Sequence, residues 1–142
     1  MTTVQQDQYI EMTVGKESYA IRIEEIHEII KMQAITDIPQ SKHYVKGVIN
    51  LRGKVVPVVS LRSLFSLPDE AFTKNTRIVV VRHQEESIGI IVDQVNKVTT
   101  YPEIGPPPER VSVGSSAYFQ GIGLCEGSLV GILKLDDVLI RD

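Results

Sequence analysis

Short apolar segments rich in valine and isoleucine recur along the chain, and residues suited to turns separate them. Segments of this kind are typical of β-strands, and the glycines between them fit tight hairpin turns. The pattern predicts four antiparallel hairpins, with strands at residues 9–14 and 18–23, 48–51 and 55–61, 77–82 and 88–92, and 118–124 and 129–135. Many short strands at this spacing indicate an all-β sandwich or barrel.

Helical periodicity is restricted to two short segments. Four isoleucines within residues 23–30 recur at helical spacing and predict one or two helical turns. The second segment begins after Ser60, a residue suited to an N-cap, and ends before Pro68. We therefore expect a few short helical turns in an otherwise all-β fold.

The two halves of the chain share one apolar pattern, which indicates an internal duplication. Residues 23–29 match residues 92–98, and residues 47–65 match residues 121–139, in the same order. This predicts one domain over residues 1–142, built from two tandem β-modules at residues 1–76 and 77–142, with the N-terminal strand able to pair with the second module. Since a module of about 70 residues buries little surface alone, we expect the modules to share an apolar seam, with a binding groove between them.

Composition limits the classes of function. The 142 residues carry a net charge of −3 and a single cysteine, and residues 1–7 have no leader-like pattern, so we expect a cytoplasmic protein without membrane insertion. The histidines and Cys125 have no zinc-site spacing, and the sequence contains no nucleophile motif. We therefore expect neither a cofactor nor catalysis, although a small enzyme acting in the groove is an alternative.

One stretch of the chain is locally basic. It contains no acid between Asp37 and Asp69 but carries five cations, Lys42, Lys46, Arg52, Lys54 and Arg62. Two interpretations explain this pattern equally well: a solvated hairpin, or a surface that steers an acidic partner. Nucleic-acid binding by a small β-barrel is a weaker alternative, because the net charge is negative and stacking aromatics are scarce.

Arg52 is the sharpest candidate for a binding residue. It lies at a predicted hairpin tip, and its counterpart in the second module is Glu126, so the two modules differ in charge at matched positions. If the first module closes as a barrel, Ile26, Glu28 and Ile29 would face the same groove. Apolar anchors edged by orienting charges are typical of protein–protein sites.

The sequence YVKGVINLRGKVVPVVSLR at residues 44–62 resembles the signature of CheW-domain proteins, the adaptors of bacterial chemotaxis. Matches at residues 19–29, 89–95 and 121–123 extend the resemblance over most of the chain. The resemblance implies two tandem five-stranded SH3-like β-barrels and a role without catalysis. Such adaptors couple transmembrane chemoreceptors, the methyl-accepting chemotaxis proteins, to the histidine kinase CheA. A CheW-like adaptor of a non-chemotactic kinase pathway is the alternative.

The resemblance also assigns residues to two contacts. Receptor binding falls on Ile26, Glu28, Ile29, Gly47 and Arg52. We expect Val48 to line the same groove, which would receive the helical tip of the receptor. The kinase would dock through its own CheW-like regulatory domain, barrel against barrel, on a loop containing Pro106, Pro107, Glu109 and Arg110. We expect a monomer in isolation that joins receptor arrays at the inner face of the membrane.

Overall fold

The structure, a computed structural model, describes residues 7–39, 43–68, 71–106, 119–125 and 127–139. Most of these residues form β-strands, and the helices are short. The strands are β1 (Tyr9–Val14), β2 (Glu17–Arg22), β3 (Ile26–Lys31), β4 (Val45–Leu51), β5 (Lys54–Ser60), β6 (Arg77–His83), β7 (Glu86–Val92), β8 (Gln94–Thr99), β9 (Glu103–Gly105), β10 (Phe119–Cys125) and β11 (Ser128–Leu133). The helices are a 3₁₀ turn (Ile23–Glu25), α1 (Leu61–Leu64) and α2 (Leu135–Leu139).

The four predicted hairpins are confirmed, because β1 pairs with β2, β4 with β5, β6 with β7 and β10 with β11, each antiparallel. Gly15, in the first turn, has a φ of 66°, which glycine adopts without the penalty that a Cβ imposes. The predicted cap is also present, since the Ser63 N–H donates to the Ser60 hydroxyl at 3.2 Å. The pattern of apolar segments and the chemistry of the turn residues therefore set the local structure.

Two sheets make up the fold, and their strand order does not follow the chain. One sheet has five strands in the order β3-β6-β7-β5-β4, and the other has six in the order β8-β1-β2-β11-β10-β9. Strands β6 and β7, which follow residue 76, therefore pair with β3 and β5, which precede it. Strands β1 and β2 lie in the sheet that contains β8 to β11, through an antiparallel pair with β8 and a parallel pair with β11.

An apolar cluster shared by the two sheets forms the largest part of the core and confirms the predicted seam. Strand β6 shows how it is built, because its four apolar residues are buried on both faces. Ile78 and Val80 face a cluster inside the five-stranded sheet, whereas Val79 and Val81 face the shared cluster. Burying each such side chain contributes about 1.5–3 kcal/mol. A smaller third cluster, around Tyr101 and Ile132, belongs to the six-stranded sheet.

The helical prediction for residues 23–30 is wrong beyond its first turn. Ile23–Glu25 forms a 3₁₀ turn, and the chain then continues as β3. Strand β3 pairs antiparallel with β6, so its backbone groups are satisfied by a neighbouring strand rather than within a helix. β-Branched isoleucines favour this extended conformation, and the strand alternates between half-buried and exposed residues.

A mostly buried ion pair joins the two sheets at one end of the seam. Arg62 lies on α1, after the five-stranded sheet, and Asp93 lies where the chain passes from β7 to β8 in the other sheet. Arg62 Nε donates to Asp93 Oδ1 at 3.0 Å, and Nη2 donates to Oδ2 at 2.7 Å. The Gly15 N–H, in the β1–β2 turn, also donates to Oδ2, at 2.8 Å. This bidentate geometry fixes α1 and the β1–β2 turn against each other.

The protonation of Asp93 is coupled to this arrangement. Burial raises the pKa of its carboxyl, but hydrogen bonds from Arg62 and the Gly15 N–H outweigh burial, and the pKa lies below its ordinary value of 3.8. The folded state therefore prefers the carboxylate more strongly than the unfolded chain does. The resulting stabilisation is complete above the ordinary pKa and is lost as the pH falls through the lowered one.

Replacing Asp93 by asparagine should lower the free energy of unfolding by about 2 kcal/mol, because Arg62 would keep a buried charge without its counterion. Urea denaturation at neutral pH measures the change. The control is Asp37→Asn, since Asp37 is exposed and such a surface change stays within about 0.5 kcal/mol. Equal stability of the two variants would contradict the assigned role of the pair.

The stability difference between the wild type and Asp93→Asn should itself depend on pH. It should be constant from neutral pH down to about 5 and should shrink as the pH falls below the ordinary pKa of 3.8, because the unfolded wild type then takes up a proton at Asp93 more readily than the folded state does. Urea denaturation of both proteins at about pH 7 and about pH 3 measures this. A difference that persists unchanged at the lower pH would show that the carboxylate charge is not the stabilising feature.

Candidate functional site

The tip of the β4–β5 hairpin presents Arg52 in a strained conformation. Arg52 and Gly53 form the two-residue turn and have φ values of 51° and 86°, as a type I′ turn requires. The Gly53 N–H donates to Asn50 Oδ1 at 2.8 Å and so holds the turn. A non-glycine residue in this left-handed region costs about 1–2 kcal/mol. The tip is therefore a defined structure that projects an arginine.

Arg52 pairs with Glu28 across the edges of the five-stranded sheet. Arg52 Nη2 donates to Glu28 Oε2, joining the β4–β5 hairpin to β3, and β4 and β3 are the two edge strands of that sheet. The Arg52 side chain is 67% exposed, whereas that of Glu28 is 24% exposed. His27 Nε2 lies 3.8 Å from the same carboxylate oxygen. The two predicted binding charges thus meet each other in the free protein.

Gly47 supports this edge of the sheet through its backbone. It is buried, its φ is 143°, and a Cβ added to it would lie 2.1 Å from the carbonyl oxygen of Thr36. Thr36 exchanges two backbone hydrogen bonds of 2.9 Å with Val48, the next residue of β4. The ladder between β4 and β5 also shifts register between Val45 and Gly47. Only glycine therefore lets the segment after β3 pack against β4.

The predicted apolar residues divide between two surfaces. Ile26 and Ile29 pair with Val81 and Val79 of β6, whose side chains face the shared seam. Ile26 packs against the seam cluster, and Ile29 remains partly exposed. Val48 does not join them. It pairs with Pro57 and lines a separate hollow at the start of β5.

The locally basic stretch does not form a continuous basic face. Arg52 is paired with Glu28, and Arg62 is paired with Asp93. Lys54 lies on the hollow that Val48 lines, whereas Lys46 lies on a different cavity together with Arg62. Lys42 lies outside the described residues. Of the two interpretations of this stretch, a single steering surface is therefore the less well supported.

The loop predicted to contact the kinase is described only at its start. Pro106 follows β9 and is exposed. The other three predicted contact residues, Pro107, Glu109 and Arg110, lie outside the described residues. The assignment of this loop therefore stays a prediction.

Sequence reasoning missed the ion pair of Arg62 and Asp93 and the cavity beside it. The cavity has a volume of about 430 Å³ and is lined by residues of both sheets, among them Thr13 and Gln94 of the six-stranded sheet and Ile91 of the five-stranded sheet. A buried pair between residues this far apart leaves no spacing signal. The one available signal was a difference between the duplicated halves, because the oppositely charged Arg62 and Asp93 match two acids, Asp136 and Glu24. The matched positions therefore do not repeat the pair.

Neither a metal site nor a membrane-spanning helix is found in the described part of the chain. It contains no group of three or more histidine, cysteine or carboxylate side chains placed to hold a metal ion. None of its helices combines the length and the apolar character needed to cross a membrane.

Comparison with known proteins accounts for the fold. Residues 8–142 match the CheW-like domain family. The chemotaxis protein CheW of Helicobacter pylori is 39% identical, over 95% of this chain and 82% of that protein, and the chemotaxis protein CheW of Bacillus subtilis is 37% identical, over 92% and 85%.

A solved structure gives the same result. The crystal structure of the scaffolding protein TtCheW from Thermoanaerobacter tengcongensis superimposes with a TM-score of 0.89 and 30% identity, covering 99% of this chain and 92% of that chain. This likeness confirms the predicted all-β class with two SH3-like barrels, one of which has six strands here rather than five. The match over nearly the whole length shows that the chain belongs to the CheW-like domain family.

Proposed function

We propose that this protein is a non-enzymatic adaptor that couples transmembrane chemoreceptors to the histidine kinase CheA in bacterial chemotaxis. The observation that carries the proposal is the family match over residues 8–142, together with relatives named as chemotaxis proteins CheW. In this role it acts in the cytoplasm, at the inner face of the membrane where receptors cluster. Its partners are proteins, and the proposal requires no cofactor.

The receptor would bind along β3 and the neighbouring hairpin tip. Ile26 and Ile29 lie on the seam-facing side of β3 and offer an apolar surface to a helix. Glu28 and Arg52 lie beside it and offer a carboxylate and a guanidinium. A helical tip carrying apolar residues and charges of both signs matches this surface. The apolar contacts would supply affinity, and the charges would fix orientation.

Binding at this surface requires an exchange of ion pairs. Arg52 is paired with Glu28 in the free protein, so a receptor carboxylate has to share or replace that partner. Because the Arg52 side chain is 67% exposed, its remaining N–H groups are accessible to a second carboxylate. Exposed pairs are worth only about 0–1 kcal/mol, so the exchange costs little.

Coupling would arise from many such contacts acting together. A single contact of micromolar affinity corresponds to about −8 kcal/mol. Linking receptors and kinases in one array raises the effective concentration of each partner without any new contact. The shared seam makes the two barrels a packed unit, so a contact on one barrel is held at a fixed position relative to the other.

The kinase contact is proposed on the loop that begins at Pro106, and on the resemblance it includes Pro107, Glu109 and Arg110. Pro106 is exposed at the end of β9, on the six-stranded sheet. The proposed receptor residues lie on the five-stranded sheet. Separate sheets would let one molecule hold both partners at the same time, as an adaptor must.

Reversing the charge at Arg52 should weaken receptor binding at least tenfold, because the glutamate of Arg52→Glu would repel both Glu28 and the receptor carboxylate. The double variant Glu28→Arg with Arg52→Glu should recover the stability of the wild type, since the pair is restored in reverse. It should not recover binding, since both charges would then oppose the receptor. Titration calorimetry with a chemoreceptor cytoplasmic hairpin from the same organism measures affinity, and urea denaturation measures stability.

Two controls accompany the charge reversal. Lys97→Glu, on β8 of the other sheet, makes the same charge change away from the site and should leave receptor binding unaltered. Binding to the regulatory domain of CheA should survive in every variant. If Arg52→Glu keeps full receptor affinity, Arg52 is not part of the receptor contact. If the wild type fails to bind one or both of the receptor hairpin and the regulatory domain of CheA, the adaptor proposal is refuted.

Gly47→Ala should act through the fold rather than through a contact. The added Cβ would lie 2.1 Å from the Thr36 carbonyl oxygen, and the φ of 143° is unsuited to alanine, so the free energy of unfolding should fall by about 3 kcal/mol. Gly53→Ala, which has open space around it and a φ of 86°, should cost only about 1–2 kcal/mol. Urea denaturation compares the two variants, and equal losses would contradict the proposed packing role of Gly47.

A further inference from the structure

His27 lies between Ile26 and Glu28, two of the proposed receptor residues, but is not itself one of them. Its Nε2 lies 3.8 Å from Glu28 Oε2, the oxygen that also accepts a hydrogen bond from Arg52 Nη2. The exposed fraction of the side chain is 67% at Arg52, 50% at His27 and 24% at Glu28. One partly buried carboxylate therefore faces two exposed side chains that carry positive charge when protonated.

A bulge in β3 explains why the side chains of two consecutive residues meet. Ile26 pairs with Val81 and Glu28 pairs with Val80, so His27 is an extra residue between two adjacent pairs of the β3–β6 ladder. Successive side chains of a regular strand point to opposite faces of the sheet. A bulge breaks this alternation and changes the direction of a side chain. The imidazole of His27 is therefore held near the carboxylate of its own neighbour.

Other charged and titratable side chains lie on β3 and on the elements next to it. The 3₁₀ turn with the residue before it, the far end of β3, the β4–β5 hairpin and the β6–β7 hairpin contribute Arg22, Glu24, Glu25, Lys31, Lys54, Arg82, His83, Glu85 and Glu86. Ordinary carboxyl groups are ionised above about pH 5, and lysine and arginine stay charged below about pH 9.

Two members of this set respond to pH in a different way. Burial raises the pKa of Glu25. His83 is a second histidine, and its Nδ1 lies 3.6 Å from Asp136 Oδ1 on α2. Both side chains remain in a chain that is changed only at His27. A substitution at His27 therefore separates its own contribution from theirs.

The charge of His27 decides how strongly Glu28 holds Arg52. Histidine is the side chain whose charge changes between about pH 5 and pH 8. A neutral imidazole leaves the carboxylate to Arg52, whereas an imidazolium attracts the same oxygen. Protonation of His27 also gives the three side chains together a net positive charge. Arg52 is therefore held less strongly within the protein at low pH.

We propose that His27 is a further residue of the receptor contact, and that its protonation strengthens receptor binding by freeing Arg52 for a receptor carboxylate. This role depends on the proposed adaptor function. Exposure decides the direction of the effect, because a receptor carboxylate reaches the exposed Arg52 more readily than a receptor cation reaches the partly buried Glu28. The imidazolium remains beside Glu28 when Arg52 turns to the receptor, so the exchange of ion pairs costs less at low pH.

Titration calorimetry with a chemoreceptor cytoplasmic hairpin from the same organism, at about pH 8 and about pH 5.5, tests the proposal. The wild type should bind about two- to fivefold more tightly at the lower pH, the range expected for one exposed ion pair. His27→Gln should lose this difference, and His27→Lys, which is charged at both pH values, should bind more tightly than the wild type at the higher one.

The matched control is His43→Gln, because His43 is an exposed histidine that contacts the carbonyl oxygen of Ser63 rather than an acid. This variant should keep the pH dependence of the wild type. The same pH dependence in the wild type and in His27→Gln overturns the proposal, and so does a wild type that binds equally well at both pH values.

Nuclear magnetic resonance of the free protein tests the competition for Glu28 without a receptor. The titration midpoint of the His27 imidazole should rise in Arg52→Gln, because Glu28 then serves the imidazolium alone, and should fall in Glu28→Gln, because the carboxylate is gone. His43 provides an internal reference whose midpoint should stay the same. A His27 midpoint that moves in neither variant overturns the proposal. If both midpoints move as expected but the wild type binds no receptor at either pH, the adaptor function fails and takes the receptor role of His27 with it, whereas the sharing of Glu28 stands.

Discussion

The apolar seam between the two sheets is the constraint on which the rest of the structure depends. Strand β6 has no face exposed to water along its apolar run, because Ile78 and Val80 fill one cluster and Val79 and Val81 fill another. Interiors packed to this density do not deform continuously. The edge strand β3, which pairs with β6, therefore carries its exposed residues at fixed positions, and the candidate binding surface inherits its geometry from the seam.

The duplicated halves share their apolar pattern but not their charges. On one side of the seam, Arg62 and Asp93 form a bidentate pair. The matched positions on the other side are Asp136 and Glu24, which carry like charges. Burial raises the pKa of the half-buried Glu25 there. The charge of Arg22 lowers it, whereas the charges of Glu24 and Asp136 raise it further. One side is closed by the pair of Arg62 and Asp93, whereas on the other side Glu24 pairs with Arg22 and Asp136 Oδ1 lies 3.6 Å from His83 Nδ1.

Local pattern predicted the local structure, and its failures have physical causes. The turn at Gly15 and the Ser60 cap followed from residue chemistry that acts over a few positions. The isoleucines of residues 26–30 fit a helical period, but pairing with β6 overrode that signal. Glu28 and Arg52 were predicted to serve one groove, yet their pairing with each other depends on barrel closure, which no local pattern encodes. The pairing of β6 and β7 with β3 and β5 likewise depends on the tertiary fold.

The strand order of the sheets also sets an order of assembly during synthesis. Every strand of the five-stranded sheet lies within residues 26–92, so that sheet can complete its ladders while the C-terminal part of the chain is still unmade. The six-stranded sheet must wait, because β2 pairs in parallel with β11, and Ser18 meets Val130. Until then the β1–β2 hairpin has an unpaired edge and uncovered apolar side chains, which are the features that recruit chaperones or promote aggregation. Long-range pairing of this kind is also slow, because the loop must close before its contacts form.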